Sequence, residues 1–291
     1  MRQRIAGHTV VHVNFEAPAV VPALLTPFDA AGGVDLGALR AHVDFVIEGG
    51  VHGLMPCGTT GETALLEADE VIAVVAAVVE AARGRVPVVA HVGRPSTPAT
   101  ARLIERAIDA GAAGVSAIVP YYYAFGDREI IAHFRALLRA AGDTPLLAYN
   151  FPARTVNDLS AEVFATLVAD GLAGLKDSTG SIERQEAYLA VAPGAQVLVG
   201  SPSLMLAALR MGARGSVAAL ANLRPDLIVE LARAWLERRD DAAERLQEEI
   251  AELERRSKSG PPLVTLKRCV AEAMAARGER YPSALRSPLG T

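Results

Sequence analysis

Pro145-Leu-Leu-Ala-Tyr149-Asn150-Phe-Pro152-Ala-Arg154-Thr155 and Gly171-Leu-Ala-Gly-Leu-Lys176-Asp-Ser-Thr-Gly180 share one design. In each, a short apolar run stops at polar residues and a turn, and a helix-length amphipathic stretch follows. Runs of this kind suit the strands of a parallel sheet, which helices cover on the faces. The rhythm extends from Ala17 to about Glu237, with apolar runs at 20–24, 53–56, 86–91, 115–119, 145–149, 173–176, 196–199 and 215–218. Eight strands alternating with helices predict an α/β fold, a (β/α)8 TIM barrel. The helices are punctuated as well as periodic. Asp35 reads as an N-cap before Leu36, Leu39, Val43 and Val46, with Gly49-Gly50 closing that helix. Asp127 opens a helix carrying Ile130, Phe134, Leu137 and Leu138 that Gly142 stops, and Ser201-Pro202 reads as an N-cap followed by Pro at the first helical position.

The chain has 291 residues, and one such barrel takes roughly 250, so the expected organisation is an N-terminal extension over 1–16, a catalytic barrel over 17–237 and a helical appendix over 238–291. In the appendix, Leu246, Ile250 and Leu253 form one apolar stripe; Leu263, Leu266, Val270 and Met274 form another, before Gly278.

Composition excludes several classes. Mean hydropathy is +0.25, yet each apolar run is broken well before the ~20 residues of a membrane span. Residues 1–16 hold no signal-peptide core, because His8, His12 and Asn14 interrupt the valines. The net charge of −4 is interspersed, without the basic stripe that nucleic acid requires. Two distant cysteines, Cys57 and Cys269, fit a reducing compartment and no metal-ligand spacing. A cytoplasmic protein without membrane or nucleic-acid partners is expected.

Among 29 basic residues only Lys176, Lys258 and Lys267 are lysines. Lys258 falls in a polar linker and Lys267 on a C-terminal helix, whereas Lys176 ends an apolar run. A primary amine forms an imine and a guanidinium does not, so Lys176 is a candidate nucleophile; a snorkelling surface lysine is the plain alternative. Barrel active sites lie at the C-terminal ends of the strands. Gly58-Thr59-Thr60-Gly61-Glu62 offers backbone N–H groups and two hydroxyls in a turn suited to a carboxylate, although such a turn can equally be a plain connection. Tyr121, Tyr122 and Tyr123 fit packing at a rim, while the parity of Tyr149 sets its phenol beside Lys176 for proton transfer.

Five motifs then fall in one order: Thr26-Pro27-Phe28, Gly58-Thr-Thr-Gly-Glu62, Pro120-Tyr121-Tyr122, Tyr149-Asn150-x-Pro152 and Gly174-Leu-Lys176-Asp177. In these the chain resembles the dihydrodipicolinate synthase / N-acetylneuraminate lyase family, from about Ala17 to Leu289. The resemblance implies a metal-independent class I aldolase-type lyase, a homotetramer built as a dimer of dimers, with no cofactor beyond the substrate imine. It implies that Lys176 forms the Schiff base with pyruvate or another 2-oxo acid and that Tyr149 is the acid/base. Thr59, Thr60 and Gly58 would hold the pyruvyl carboxylate, and a hydroxyl relay would join Tyr149, Thr59 and Tyr122 lent by the adjacent subunit. Arg154 matches the residue that receives the carboxylate of the acceptor aldehyde, and Gly200 and Val217 are further substrate-binding positions.

Two substrate readings stand: condensation of pyruvate with a carboxylate-bearing aldehyde such as aspartate semialdehyde, as in 4-hydroxy-tetrahydrodipicolinate synthase, and cleavage or dehydration of a 2-keto-3-deoxy sugar acid or sialic acid. His91 ends its run where the family more usually has Gly; it is read either as an acid/base or acceptor contact or as a hydrogen-bonded structural residue. Other classes are a sugar-phosphate barrel using Gly200-Ser201 and Gly215-Ser216, a silent binding protein on this fold, and a metal aldolase drawing on His52, His91 and His133.

Overall fold

The computed structural model of the chain describes residues 13–257 and 261–290, preceded by the backbone of Arg4–Ile5 and His8–Thr9, which pair antiparallel. Lys258 and half of segment 1–16 lie outside the described residues. Seven strands, β1 (Ala19–Pro22), β2 (Val89–His91), β3 (Gly114–Ile118), β4 (Leu146–Asn150), β5 (Gly174–Asp177), β6 (Gln196–Val199) and β7 (Gly215–Ala218), form one parallel sheet. Their order is β1-β7-β6-β5-β4-β3-β2, so the last strand lies beside the first.

Seven of the eight predicted runs are regular strands, and 53–56 is the exception. It bonds to both edges of the sheet through the isolated bridges Ala23↔Met55 and Leu54↔Val88. The bridges stay isolated for two reasons. Pro22 and Pro56 have no N–H to extend either ladder. In addition, His52 and Met55 donate successively to the carbonyls of Val20 and Pro22, so three residues span two and the segment bulges.

Side chains of a strand alternate between its faces. One set, including Val20, Leu24, Val115, Ala117 and Val197, packs against the helices. The other, Val21, Met55, Val89, Leu147, Leu198 and Val217, packs together on the face away from them. Val13 and Phe15, within the stretch expected to be an extension, join this second cluster and are buried. Phe15 N–H donates to Gln196 Oε1 at 2.8 Å. Val13 lies against Gly114 and Phe15 against Gly53, so they fill the end of the interior at which strands begin.

Helix α1 (Leu36–Glu48) starts as expected, with the Asp35 carboxylate accepting from Ala38 N–H. The expected cap at Ser201 is different: a 3-10 turn, Pro202–Leu204, precedes the helix Met205–Arg210, and the Ser201 hydroxyl bonds the carboxylate of Glu254 instead. Of the appendix, the helix Asp240–Ser257 buries Ala243 and Ile250. The helix Pro262–Ala275 buries Leu266, Val270 and Met274 with Leu25, Ala38 and Tyr281, so it seals one side of α1. Among the described residues no helix is long and apolar enough to cross a membrane.

Closure of β7 on β1 needs bare backbone. Gly215 has φ 136°, and a Cβ there would sit 2.0 Å from the Ala19 carbonyl oxygen. Gly84, at φ 69°, has open space around it. We expect Gly84→Ala to cost about 1–2 kcal/mol for its left-handed backbone alone, and Gly215→Ala to cost several times more or to abolish soluble expression. Urea unfolding of both variants checks this.

Candidate active site

The face away from the helices turns polar toward the C-terminal ends of the strands. Tyr149 lies two residues beyond Leu147 and His91 two beyond Val89, so parity turns both side chains inward. Lys176 pairs in register with Tyr149 on one side and Leu198 on the other. Its ammonium nitrogen stands 4.1 Å from the centre of the Tyr149 ring. Lys176 is 4% exposed, and among the described residues no carboxylate pairs with it. The Tyr149 hydroxyl lies 3.2 Å from Thr59 Oγ1. Lys176, Tyr149 and Thr59, expected together from the sequence, are thus brought together.

Thr59 and Thr60 are half-buried in a turn closed by Gly61 N–H and Thr63 N–H, which both donate to the Gly58 carbonyl. Thr26 Oγ1 donates to the Gly61 carbonyl at 2.8 Å, which fixes the turn to the end of β1. Among the described residues no acceptor takes the N–H groups of Thr59 and Thr60. Gly58 has open space where a Cβ would be.

The other expected residues are spread around this centre. Gly200 donates to the Asp177 carbonyl at 2.7 Å, and a Cβ on it would strike Ser178, so only glycine lets these strand ends approach. Val217 is buried on the inward face of β7. Arg154 sits on the short helix Pro152–Thr155; it is exposed, and its guanidinium has no partner among the described residues. Tyr122 is apart from Tyr149 within this chain. It is 78% exposed, has φ 83°, and lies edge-on to Tyr123.

His91 is fully buried, edge-on to the Tyr149 ring at 5.6 Å, and neither ring nitrogen has a partner among the described residues. The reading of His91 as a hydrogen-bonded structural residue therefore finds no bond. Burial, reinforced by the charges of Lys176 and Arg94, lowers its pKa to about 3, so the ring is neutral near pH 7. Beside it in register, the buried hydroxyl of Ser116 also lacks a partner.

Sequence reasoning missed the support behind the site. The Asn150 amide nitrogen faces Asp158 Oδ1 at 2.9 Å, Asp177 Oδ1 at 3.1 Å and the Tyr188 hydroxyl at 3.1 Å. Gln185 donates to Asp177 Oδ2 at 2.7 Å. Burial raises the Asp177 pKa, opposed by its hydrogen bonds from Thr179 and Asn150. Asn150 and Asp177 stood in the quoted motifs, but Gln185 and Tyr188 come from a helix whose inner face carries no local signal.

The phosphate reading fails on position. Gly215 begins β7 against Ala19, and the Ser216 hydroxyl donates to the Val199 carbonyl. The metal reading has no ligand set: His52 accepts from Val20 N–H, His133 bonds Thr97, and His91 lies inside the sheet. Among the described residues no group of three His, Cys, Asp or Glu is placed to hold a metal.

The sequence profile of the dihydrodipicolinate synthetase family matches residues 16–291. The chain belongs to this family. It is a lyase of the class I aldolase type. An uncharacterized DapA-like lyase of Halobacterium salinarum is 38% identical over 272 residues, 93% of this chain and 87% of its own length. A 4-hydroxy-tetrahydrodipicolinate synthase of Sorangium cellulosum is 41% identical over 218 residues, covering 74% of this chain and 72% of that one. Among solved structures, YagE, a prophage protein of this family from E. coli K12 crystallised with pyruvate, superposes with a TM-score of 0.87 at 26% identity, covering 94% of this chain and 92% of the other.

The pKa of His91 predicts acid sensitivity. Depressed from 6.5 to about 3 in the fold, His91 contributes stability that is present above pH 6.5 and is lost as pH falls toward 3, amounting to about 2 kcal/mol by pH 5. His42, held near 4 by burial, adds in the same sense. Urea midpoints should fall between pH 6.5 and 5, and His91→Gln should flatten that slope; an unchanged slope would show that His91 titrates normally.

Proposed function

We propose that the family member described here joins pyruvate to a carboxylate-bearing aldehyde through an imine on Lys176. The observation that carries this reading is the placement of Lys176 against the Tyr149 ring, without a carboxylate partner among the described residues and with the Tyr149 hydroxyl bonded to Thr59. The site is read as the mouth of a closed (β/α)8 barrel, with the bridged segment 53–56 as its eighth strand.

The pyruvyl carboxylate binds the free N–H groups and hydroxyls of Thr59 and Thr60. The neutral Lys176 amine adds to the 2-oxo carbon, and the carbinolamine loses water as Tyr149 supplies a proton. The resulting iminium draws electrons from C3. Loss of a C3 proton to Tyr149 leaves an enamine, whose C3 attacks the aldehyde carbon to form the new C–C bond while Tyr149 returns the proton to the aldehyde oxygen, which becomes a hydroxyl. Hydrolysis of the product iminium restores the amine. Arg154, exposed at the rim and without a partner among the described residues, is the acceptor's carboxylate partner, because a guanidinium can grip a carboxylate with two parallel bonds. Gly200 and Val217 border the pyruvyl group. We read the assembly as a homotetramer, a dimer of dimers working in the cytoplasm, in which Tyr122 projects into a neighbouring copy and joins its Thr59–Tyr149 relay.

One observation favours the alternative substrate class. The unpartnered nitrogens of His91 and the Ser116 hydroxyl are additional polar groups beneath Tyr149, which a 2-keto-3-deoxy sugar acid could engage and pyruvate alone would not.

Borohydride with pyruvate should inactivate the enzyme by modifying Lys176, as read by peptide mass, and Lys176→Arg should be inert. Labelling of a different lysine would overturn the assignment. Tyr149→Phe should lower turnover by about two to four orders of magnitude.

Arg154→Ala separates the substrate readings. A carboxylate-bearing aldehyde should lose about 1.5–3 kcal/mol of transition-state binding while imine formation is nearly intact. Undiminished use of aspartate semialdehyde, or efficient cleavage of keto-deoxy sugar acids, would favour the alternative.

A further inference from the structure

The turn that carries Thr59 and Thr60 is bracketed by two strained residues. Cys57 and Glu62 both have φ 61°, the left-handed region that residues other than glycine occupy only when their surroundings hold them there. What holds Glu62 comes from the far end of the chain. Lys267 Nζ donates to Glu62 Oε1 at 2.6 Å, and both side chains are 0% exposed. Arg286 N–H donates to Glu62 Oε2 at 2.9 Å. Lys267 also donates to the Ala284 carbonyl at 2.7 Å and stands 4.4 Å from the centre of the Phe28 ring. The Arg286 guanidinium grips both oxygens of Glu70 and donates to the carbonyls of Leu65 and Gly32. Residues 262–286 therefore form a strap that returns to the back of the turn.

None of these groups touches Lys176 or Tyr149, so the reaction as written leaves them without a part. Their placement has an electrostatic consequence. Glu62 is a buried carboxylate within the very turn assigned to the substrate carboxylate, and uncompensated it would repel that anion through a low dielectric. The compact, three-donor ammonium of Lys267 meets Glu62, the Ala284 carbonyl and an aromatic face at once, a geometry unlike the planar fork of arginine. That fits a lysine kept in a chain that otherwise uses arginine for 26 of its 29 basic residues.

We propose that Glu62 and Lys267 are positioning residues: the C-terminal strap holds Glu62 in its left-handed conformation and neutralises its charge, which keeps the Thr59–Thr60 turn preformed and receptive to the carboxylate of the 2-oxo acid. This rests on the reading that Lys176 forms an imine and that the turn binds the pyruvyl carboxylate.

The test is borohydride trapping at graded pyruvate concentrations, read as the half-saturating concentration for modification of Lys176 in folded full-length protein. Lys267→Met should raise it about tenfold or more, the scale of one unscreened charge at roughly 10 Å. Glu62→Gln combined with Lys267→Met should recover most of the loss, since no net charge then remains behind the turn. Arg286→Ala loosens the strap without stranding a buried charge, so it serves even if Lys267→Met does not fold; it should shift the half-saturating concentration in the same direction by a smaller factor. Folded variants that lose thermal stability yet keep the wild-type half-saturating concentration would overturn the proposal and leave the strap a purely structural brace. Wild-type protein that is not trapped at all would instead overturn the imine reading beneath it.

Discussion

Tyr149 and Lys176 meet because a parallel ladder sets them side by side on adjacent strands, on the face turned away from the helices. Strand side chains alternate with period two, so a slip of one residue in either strand would send its functional group into the helix layer. Register is held by the apolar rows on both sides of it. Leu147 and Leu198 pack inward and Ala148, Leu175 and Val197 pack against helices, and a one-residue shift would take both rows out of their clusters. With Val13 and Phe15 filling the end where strands begin, the polar end of the interior is the one where strands finish.

Enclosure gives the polar groups of that end their weight. A single hydrogen bond contributes about 0.5–1.5 kcal/mol, yet stranding a buried partner costs about 1–3 kcal/mol. Around Asn150 and Asp177 the polar groups are bonded to one another, Gln185 Oε1 excepted, which fixes the strand ends from which Lys176 and the Arg154 turn project. His91 and Ser116 are the contrast, buried near Tyr149 and Lys176 without hydrogen-bond partners among the described residues. Burial keeps His91 neutral, so it can give or take hydrogen bonds near Lys176 without placing a second cation there.

Charge is used differently on the surface and in the interior. Exposed pairs such as Arg40–Glu80 and Arg106–Asp69 lie in high dielectric, where a pair contributes about 0–1 kcal/mol. Glu62–Lys267 is fully enclosed, and losing one partner would leave a bare charge at a cost of about 3–5 kcal/mol. The C-terminal helix expected to be an appendix is therefore joined to the Thr59–Thr60 turn by a fully buried ion pair.

The sequence by itself determined the strand rhythm and the helix started by Asp35, and it singled out Lys176, Tyr149, Thr59 and Arg154 as candidates, because periodicity, caps and strand-end motifs are local properties of the chain. It also marked Lys267 as one of three lysines among many arginines, although nothing local told a buried partner of Glu62 from a residue on an exposed helix. Only the tertiary structure decided that residues 53–56 bridge two edges without forming a regular strand, since missing proline N–H groups matter only once the neighbouring strands are known. The same holds for Gln185 and Tyr188 behind Asn150, for the ring of His91 set edge-on to Tyr149, and for the strap. Each depends on residues far apart in the chain meeting in a space from which water is excluded, and no pattern along the chain encodes which distant group arrives there.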